Sequence, residues 1–396
     1  MLTQKKILLA VDWTNILFRS LFMSATFGND HYDNESELQS FICKFGQDLC
    51  YLFKIFSPDK VILMTDSRNA WRKDLLPNDD SGYKANREKN DKWDWDQIFD
   101  YANRLKAEMI KKGFDFGECE RCEADDLLCM TKELIFQKYN NWNIILVSSD
   151  ADIRQLADFN PENNQYCCIY NPISLKGSIR RLFVTSDFFK WYLSEDENTS
   201  NDIFFMNINN DKHRIKTIIN NVGNKIKIEI IDPNNVVLSK IFCGDSGDNV
   251  PSFYNWYSPK GKLSRITELK YSKIKENMEL KSVQDLETKI SFLKENIEPV
   301  IKKELNDIDI SERLQRQKLL VELKSSNFPK YIQAYKADLD LIINEDIKII
   351  PKQFNIHLLF KDTEFENFLM KKDKAEQAVF KDLDKYITNN KLDKLW

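Results

Sequence analysis

Short apolar runs that stop at a carboxylate set the pattern of this chain. Residues 7–11 end at Asp12, residues 61–64 pass through Thr65 to Asp66, and residues 143–147 lead through two serines to Asp150, with Asp152 two places on. Runs of this length and composition predict buried strands. Apolar residues at helical spacing predict helices over about 38–56, 98–112 and 124–139, the last opened by Glu123-Ala-Asp125-Asp126. Strands and helices in that order predict an α/β fold with a mainly parallel central sheet flanked by helices. Ligands of such sheets bind at the carboxyl ends of the strands, so three strands ending in Asp converge on one crevice.

The rest of the chain reads less regularly. Residues 67–95 are polar, charged and aromatic without a clean period, which predicts a long loop or small helices standing off the sheet. Residues 113–117 predict a turn and short strand, 159–172 a strand with turns, 194–202 a solvated loop, and 225–231 a half-exposed strand. Asp232-Pro233 supplies an N-cap and first-turn proline for a helix that Gly244 ends. Asp245 and Asp248 of Gly244-Asp245-Ser-Gly-Asp248-Asn249-Val-Pro251 therefore fall in a turn just past that helix. Beyond residue 251 the chain reads as helical and charged, with the clearest periods over 266–281, 283–306 and 311–323.

Charge gives the acidic segments their chemistry. Carboxylates about 4 Å apart repel by roughly 4 kcal/mol at an effective dielectric near 20, and those segments hold no lysine or arginine except Arg121. The chain's three histidines lie far from them in sequence. A hard divalent cation is the expected counter-charge, and oxygen-only ligands select Mg²⁺ or Mn²⁺ over zinc. Acids opening the helix after Glu123 are favoured by its dipole as well, but capping does not explain the other segments.

At 396 residues, 42% hydrophobic, the chain buries a sizeable core, and no apolar stretch approaches the roughly 20 residues a membrane span requires. A cytoplasmic location is expected, in the host if the source is viral. The eight cysteines read as reduced, buried thiols, and Cys119-Glu-Arg-Cys122 has no second pair at zinc-site spacing. A net charge of −4 does not exclude nucleic acid, because basic residues gather at Arg68, Arg72, Lys73, Lys84, Arg87, Lys89 and Lys92, and again over 260–281.

The acidic motifs, in this order and spacing, resemble the 5′ nuclease superfamily, which includes flap endonucleases and the 5′ exonuclease domain of bacterial DNA polymerase I. Trp71-Arg72-Lys73-Asp74, Tyr83-Lys84-Ala-Asn-Arg87 and Trp93-Asp-Trp95 add a narrower likeness to the RNase H of T-even bacteriophages. The resemblance implies a PIN-like catalytic core over residues 1–255, with an arch over about 68–97 and an insertion over about 174–230. Residues 256–396 follow as a helical, duplex-binding region.

It also implies roles. Asp12, Asp66, Glu123 and Asp125, adjoined by Asp126, resemble ligands of one Mg²⁺, and Asp150, Asp152, Asp245 and Asp248 those of a second. Mn²⁺ is an expected substitute. Lys84 and Arg87 match the catalytic basic residues of the arch, with Arg72 and Lys73 on the same strand of substrate and Tyr83 stacking on a terminal base. The implied activity is 5′-3′ exonuclease or flap endonuclease cleavage of DNA, and removal of RNA primers from RNA–DNA hybrids, by a monomer. A single-strand-binding protein or sliding clamp is the expected kind of replication partner, and no membrane is.

The chain departs from the family after residue 251, where the glycine pattern of a helix–hairpin–helix turn, on which the family's potassium site depends, is missing. Lys260, Lys262 and Arg265 stand there as candidate duplex contacts. Rival readings explain less: a haloacid-dehalogenase-type phosphatase needs Asp where Thr14 stands, and a Toprim-type nuclease leaves Asp12, Asp66 and the Gly-Asp motif unused. A non-catalytic nucleic-acid-binding scaffold of the same fold would leave every ligand position filled to no purpose.

Overall fold

The structure, a computed structural model, describes residues 5–25, 35–76, 82–85, 94–175, 179–194, 217–219, 225–252, 256–257, 263–264, 271–272, 288, 307–345 and 356–366. Arg87, Lys260, Lys262, Arg265 and the expected helices over 266–281 and 283–306 fall wholly or mainly outside the described residues. Strands β1 (Lys6–Asp12), β2 (Lys60–Met64), β3 (Asp115–Gly117), β4 (Trp142–Val147), β5 (Asp158–Asn160), β6 (Gln165–Leu175), β7 (Ile179–Thr185), β8 (Thr217–Ile219) and β9 (Lys225–Ile231) form one nine-stranded sheet. Its order is β3-β2-β1-β4-β6-β7-β9-β8, with β5 paired to β6.

The strands from β3 to β6 in that order run parallel, and β6–β7 and β9–β8 are the antiparallel neighbours on the path. β1, β2 and β4 are buried along nearly their whole length, as expected of parallel strands covered on both faces. Helix α4 (Ala124–Lys138) packs on β1, β2 and β4, contributing Leu127, Leu128, Leu134 and Ile135 to the core. Beyond β6 the chain adds β7, β8 and β9 to the same sheet, and α5 (Ser186–Ser194) packs on β5, β7 and β9. The segment between Asp152 and Asp245 thus widens the sheet. β9 alternates over its first half, with Ile226 and Ile228 buried, but Ile230 on the same face is exposed.

Helix α6 (Pro233–Cys243) follows its sequence signals to the residue. The Asp232 carboxylate accepts from Asn234 N at 3.0 Å, proline opens the helix, and Gly244 ends it at φ 76°. A Cβ on Gly244 would lie 2.6 Å from the Val250 carbonyl oxygen, so this position requires glycine on both conformational and steric grounds.

Two compact units divide the chain. Residues 1–15, 58–89 and 115–347 make the first, which holds the whole sheet, α4, α5, α6 and the helix Asp307–Val321. Residues 16–57, 90–114 and 348–396 make the second, built on α2 (Glu35–Phe56) and α3 (Trp95–Lys111), whose Phe41, Phe45, Ile98, Leu105 and Met109 are buried. Helix α1 (Trp13–Ala25) begins in the first unit and continues into the second. No helix among the described residues is long and apolar enough to cross a membrane. None of the eight cysteines is joined in a disulfide, and all but Cys243 are buried.

Candidate functional site

The carboxyl ends of β1, β2 and β4, the start of α4 and the loop after α6 all deliver carboxylates within the first compact unit. Asp12, the last residue of β1, is buried; its Oδ1 accepts from Asn15 N and its Oδ2 from Ser148 Oγ, both at 2.9 Å. Asp66 follows β2, and its Oδ1 accepts the Ala124 amide at 2.7 Å, tying it to the free N–H groups at the start of α4. Asp150 receives the Asp152 amide at 2.9 Å. Gly247 N donates to Asp245 Oδ1 at 2.8 Å, and the Asp245–Val250 bridge closes the loop that carries Asp248.

Two groups of acids result. Asp12, Asp66, Asp125 and Asp150 lie within mutual electrostatic reach. Burial pushes the Asp12 carboxyl up to about 8, helped by the charges of Asp66 and Asp150 and opposed by its bonds from Asn15 and Ser148. Asp125 is held well above the usual carboxylate range by burial, then by Asp150 and Asp12. The second group is Asp152, Asp245 and Asp248, whose ligating oxygens all lie within 4.8 Å of one another. Asp150 was expected with this second group, and it does line the same cleft of about 390 Å³ with Lys240, Asp245 and Asp248. It also faces Asp12 and Asp125, so it stands between the groups.

The counter-charges differ from the expectation that metal alone supplies them. Lys240, in the last turn of α6, pairs with both Asp152 and Asp245, and its charge brings Asp245 below the usual range despite burial. Lys84 pairs with Glu123 and lies 3.7 Å from Asp248. Burial alone would raise Glu123, but Lys84 and Arg72 outweigh it and bring that carboxyl down to about 2. Sequence reading missed Lys240, although its place one helical turn before Gly244 was a signal that it faces the acidic loop.

Two expected substrate contacts, Arg72 and Tyr83, and one expected metal ligand, Asp126, are buried. Arg72 is only 2% exposed; it bonds Glu123 at 2.9 Å and Asp126 at 2.7 Å, with Cζ 4.8 Å from the Trp71 ring centroid. It is a structural cation under the site and offers no exposed guanidinium to a strand; Lys73 beside it is exposed. Asp126 is fully buried beneath Arg72 and Trp71 Nε1, which donates to it at 3.0 Å, so it holds Arg72 in place rather than facing the cleft. Tyr83 is buried too, its hydroxyl 3.0 Å from Glu123 and 3.1 Å from Asp248, and no ring face is open for base stacking. Lys84 N donates to the Asp248 carbonyl and Asn249 Nδ2 to the Gly82 carbonyl, both at 2.8 Å, fastening the described base of the arch to the last acidic loop.

The second group suits a hard cation. Carboxylate oxygens at about 2.0–2.6 Å from one ion can stand up to about 5 Å apart, which accommodates the observed 4.8 Å. Every donor is oxygen, and neither cysteine nor histidine joins the cluster.

Crowding of acids should also be visible in the stability of the protein without metal. The native state holds the Asp12 proton up to about pH 8, whereas the unfolded chain releases it near 3.8. Native protein therefore binds more protons across that window, and stability falls as pH rises through it. Melting in chelator at pH 5.5 and 8.5 should show the higher midpoint at 5.5, and Asp12→Asn should shrink the difference. Equal slopes in both proteins would remove Asp12 as the source.

A mainly parallel sheet with carboxylates crowded at the ends of its strands defines an α/β domain whose oxygen donors suit a hard divalent cation. Residues 7–176 match the family described as the 5′-3′ exonuclease, N-terminal resolvase-like domain. Among solved structures, a bacteriophage T5 5′-exonuclease with bound divalent zinc ions is 17% identical, covering 85% of this chain and 99% of its own, at TM-score 0.47. The bacteriophage T5 D15 flap endonuclease, in a pseudo-enzyme–product complex with DNA and metal ions, is likewise 17% identical, covering 90% of this chain and 100% of its own, at TM-score 0.43. No curated protein matches the sequence.

Proposed function

We propose that this chain is a metal-dependent nuclease that hydrolyses phosphodiester bonds at 5′ ends or flaps of DNA, and at RNA primers in RNA–DNA hybrids, with two divalent cations. The observation that supports this most directly is the pair of carboxylate groups in a chain that matches the 5′-3′ exonuclease family. Asp12, Asp66 and Asp125 would hold one Mg²⁺, and Asp152, Asp245 and Asp248 the other, with Asp150 between them; Mn²⁺ fits the same oxygen donors. Such ions, when bound, lower the pKa of a water and stabilise the leaving oxygen of an in-line displacement.

The chain's own groups do the rest. Asn15 and Ser148 orient Asp12, while the Ala124 amide orients Asp66. Lys84 reaches both Glu123 and Asp248, a position from which its ammonium can turn to the scissile phosphate as general electrostatic support. Lys240 neutralises the second acidic group in the absence of cations and has to yield as they enter. Arg87 remains a proposed partner of Lys84.

A parallel digestion tests this reading. A 5′-labelled flap, a nicked duplex and an RNA–DNA hybrid should each be cut with Mg²⁺ and not in chelator, the hybrid result deciding the likeness to T-even bacteriophage RNase H. Cleavage of none of the three would overturn the proposal.

A further inference from the structure

Strand β7 belongs to the segment between Asp152 and Asp245 that the acidic motifs leave without a role, and it carries an unexplained arginine. Arg181 and Phe183 are two apart on β7 and so project from one face of the sheet. Arg154, in the short 3-10 turn Asp152–Leu156 that begins at an acid of the second group, reaches the same ring. Its Cζ lies 4.2 Å from the Phe183 centroid, and that of Arg181 lies 5.5 Å away. Like charges are thus gathered over one aromatic side chain.

Neither guanidinium is fully paired among the described residues. The Nε of each is buried without a hydrogen-bond partner, and neither arginine joins an ion pair there. Lys227 stands opposite Arg181 in register, and Glu229 opposite Phe183, so both share this face. Glu229 is taken by Lys227 at 2.8 Å. Arg154 is repelled by Arg181 and attracted by Asp150 and Glu229, which puts this positive spot within electrostatic range of the acidic cleft. Buried N–H donors without acceptors are rare in folded proteins, and those of arginine fit the paired oxygens of a phosphate. A stacked guanidinium loses less freedom on forming such a bond, because the ring already holds its plane.

We propose that Arg154 and Arg181 form a phosphate-binding subsite for the nucleic-acid backbone beside the cleft, half of it supplied by the inserted strand β7. The inference rests on the nuclease reading and deepens it. The ligand is a phosphodiester of the substrate strand, so the subsite positions substrate without reading its sequence.

Binding of a fluorescent 5′-flap DNA to the full chain in chelator, followed by anisotropy across a salt series, tests it without activity as the readout. Arg154→Gln with Arg181→Gln should weaken binding for every sequence and lower the slope of log affinity on log salt by about 0.9 for each phosphate that is no longer neutralised. Arg154→Lys with Arg181→Lys should restore most of the slope. Free inorganic phosphate in the millimolar range should compete poorly, because one phosphate has none of the neighbouring attachments of a strand. A wild-type slope in the glutamine variant, with its melting midpoint intact, overturns the subsite and leaves the nuclease reading standing. A wild-type chain that binds no flap DNA overturns both. Should the glutamine pair fail to fold, Arg181→Gln alone at the half-exposed strand position decides the matter by the same slope.

Discussion

Asp66→Asn or Asp150→Asn is expected to reduce turnover about a thousandfold or more while leaving the fold intact, since charge stabilisation by a bound cation is worth several kcal/mol and each 1.36 kcal/mol is tenfold in rate. The fold should survive because asparagine keeps the acceptor oxygen each position uses. Asp66 accepts the Ala124 amide, and Asp150 accepts the Asp152 amide. Neither bond needs the negative charge. Removing that charge also relieves Asp12, which both residues push upward, so the chelated variants should melt above the wild type. Added Mg²⁺ should then stabilise the wild type more than either variant, by linkage of binding to folding. Full activity in either variant would remove that residue from the metal centre, and a lowered melting point would show that its charge serves the fold.

Arg72→Met should act in the opposite manner, striking stability first. The guanidinium is buried between Glu123 and Asp126, and its loss leaves Asp126 without its principal partner and Glu123 with Lys84 as its remaining cation. Breaking a buried pair by removing one member costs about 3–5 kcal/mol, on the order of 10 °C in melting midpoint for a unit of this size. Methionine keeps most of the volume, so reduced packing against Trp71 and Phe328 contributes little. Adding Asp126→Asn should return part of the stability by removing one orphaned charge. Calorimetry of the single and double variants checks both steps. An unchanged midpoint with weaker DNA binding would return Arg72 to the substrate side of the site.

The contrast between these two residues marks where sequence stops being informative. Asp12, Asp66 and Asp150 were legible because each ends a run whose burial is fixed by hydrophobicity alone, and a parallel sheet leaves one place for such ends to meet. Helix α6 was legible because Asp232, Pro233 and Gly244 each answer a local backbone requirement. Arg72 was not. Nothing within its own segment distinguishes an arginine that binds phosphate from one that binds Glu123, fifty-one positions away in the chain. Lys240 differs in part: its pair with Asp245, five places on, was within reach of the helix end, whereas Asp152 becomes its neighbour only through packing of α6 on the turn after Asp150. Strand β7 went unread because Arg180 and Arg181 interrupt the alternation that marks β9.

The sheet itself solves a problem of colloidal chemistry. Nine strands offer two open borders, and an unpaired border of backbone N–H and C=O groups invites a second chain to add on. Among the described residues the border strands β3 and β8 are each three residues long, while β6, deep inside, runs to eleven. A border of that length offers a foreign strand too few rungs to hold it. Strands β7 to β9 therefore enlarge the sheet without lengthening the edge it exposes, and the chain gains a wider platform with little added tendency to polymerise.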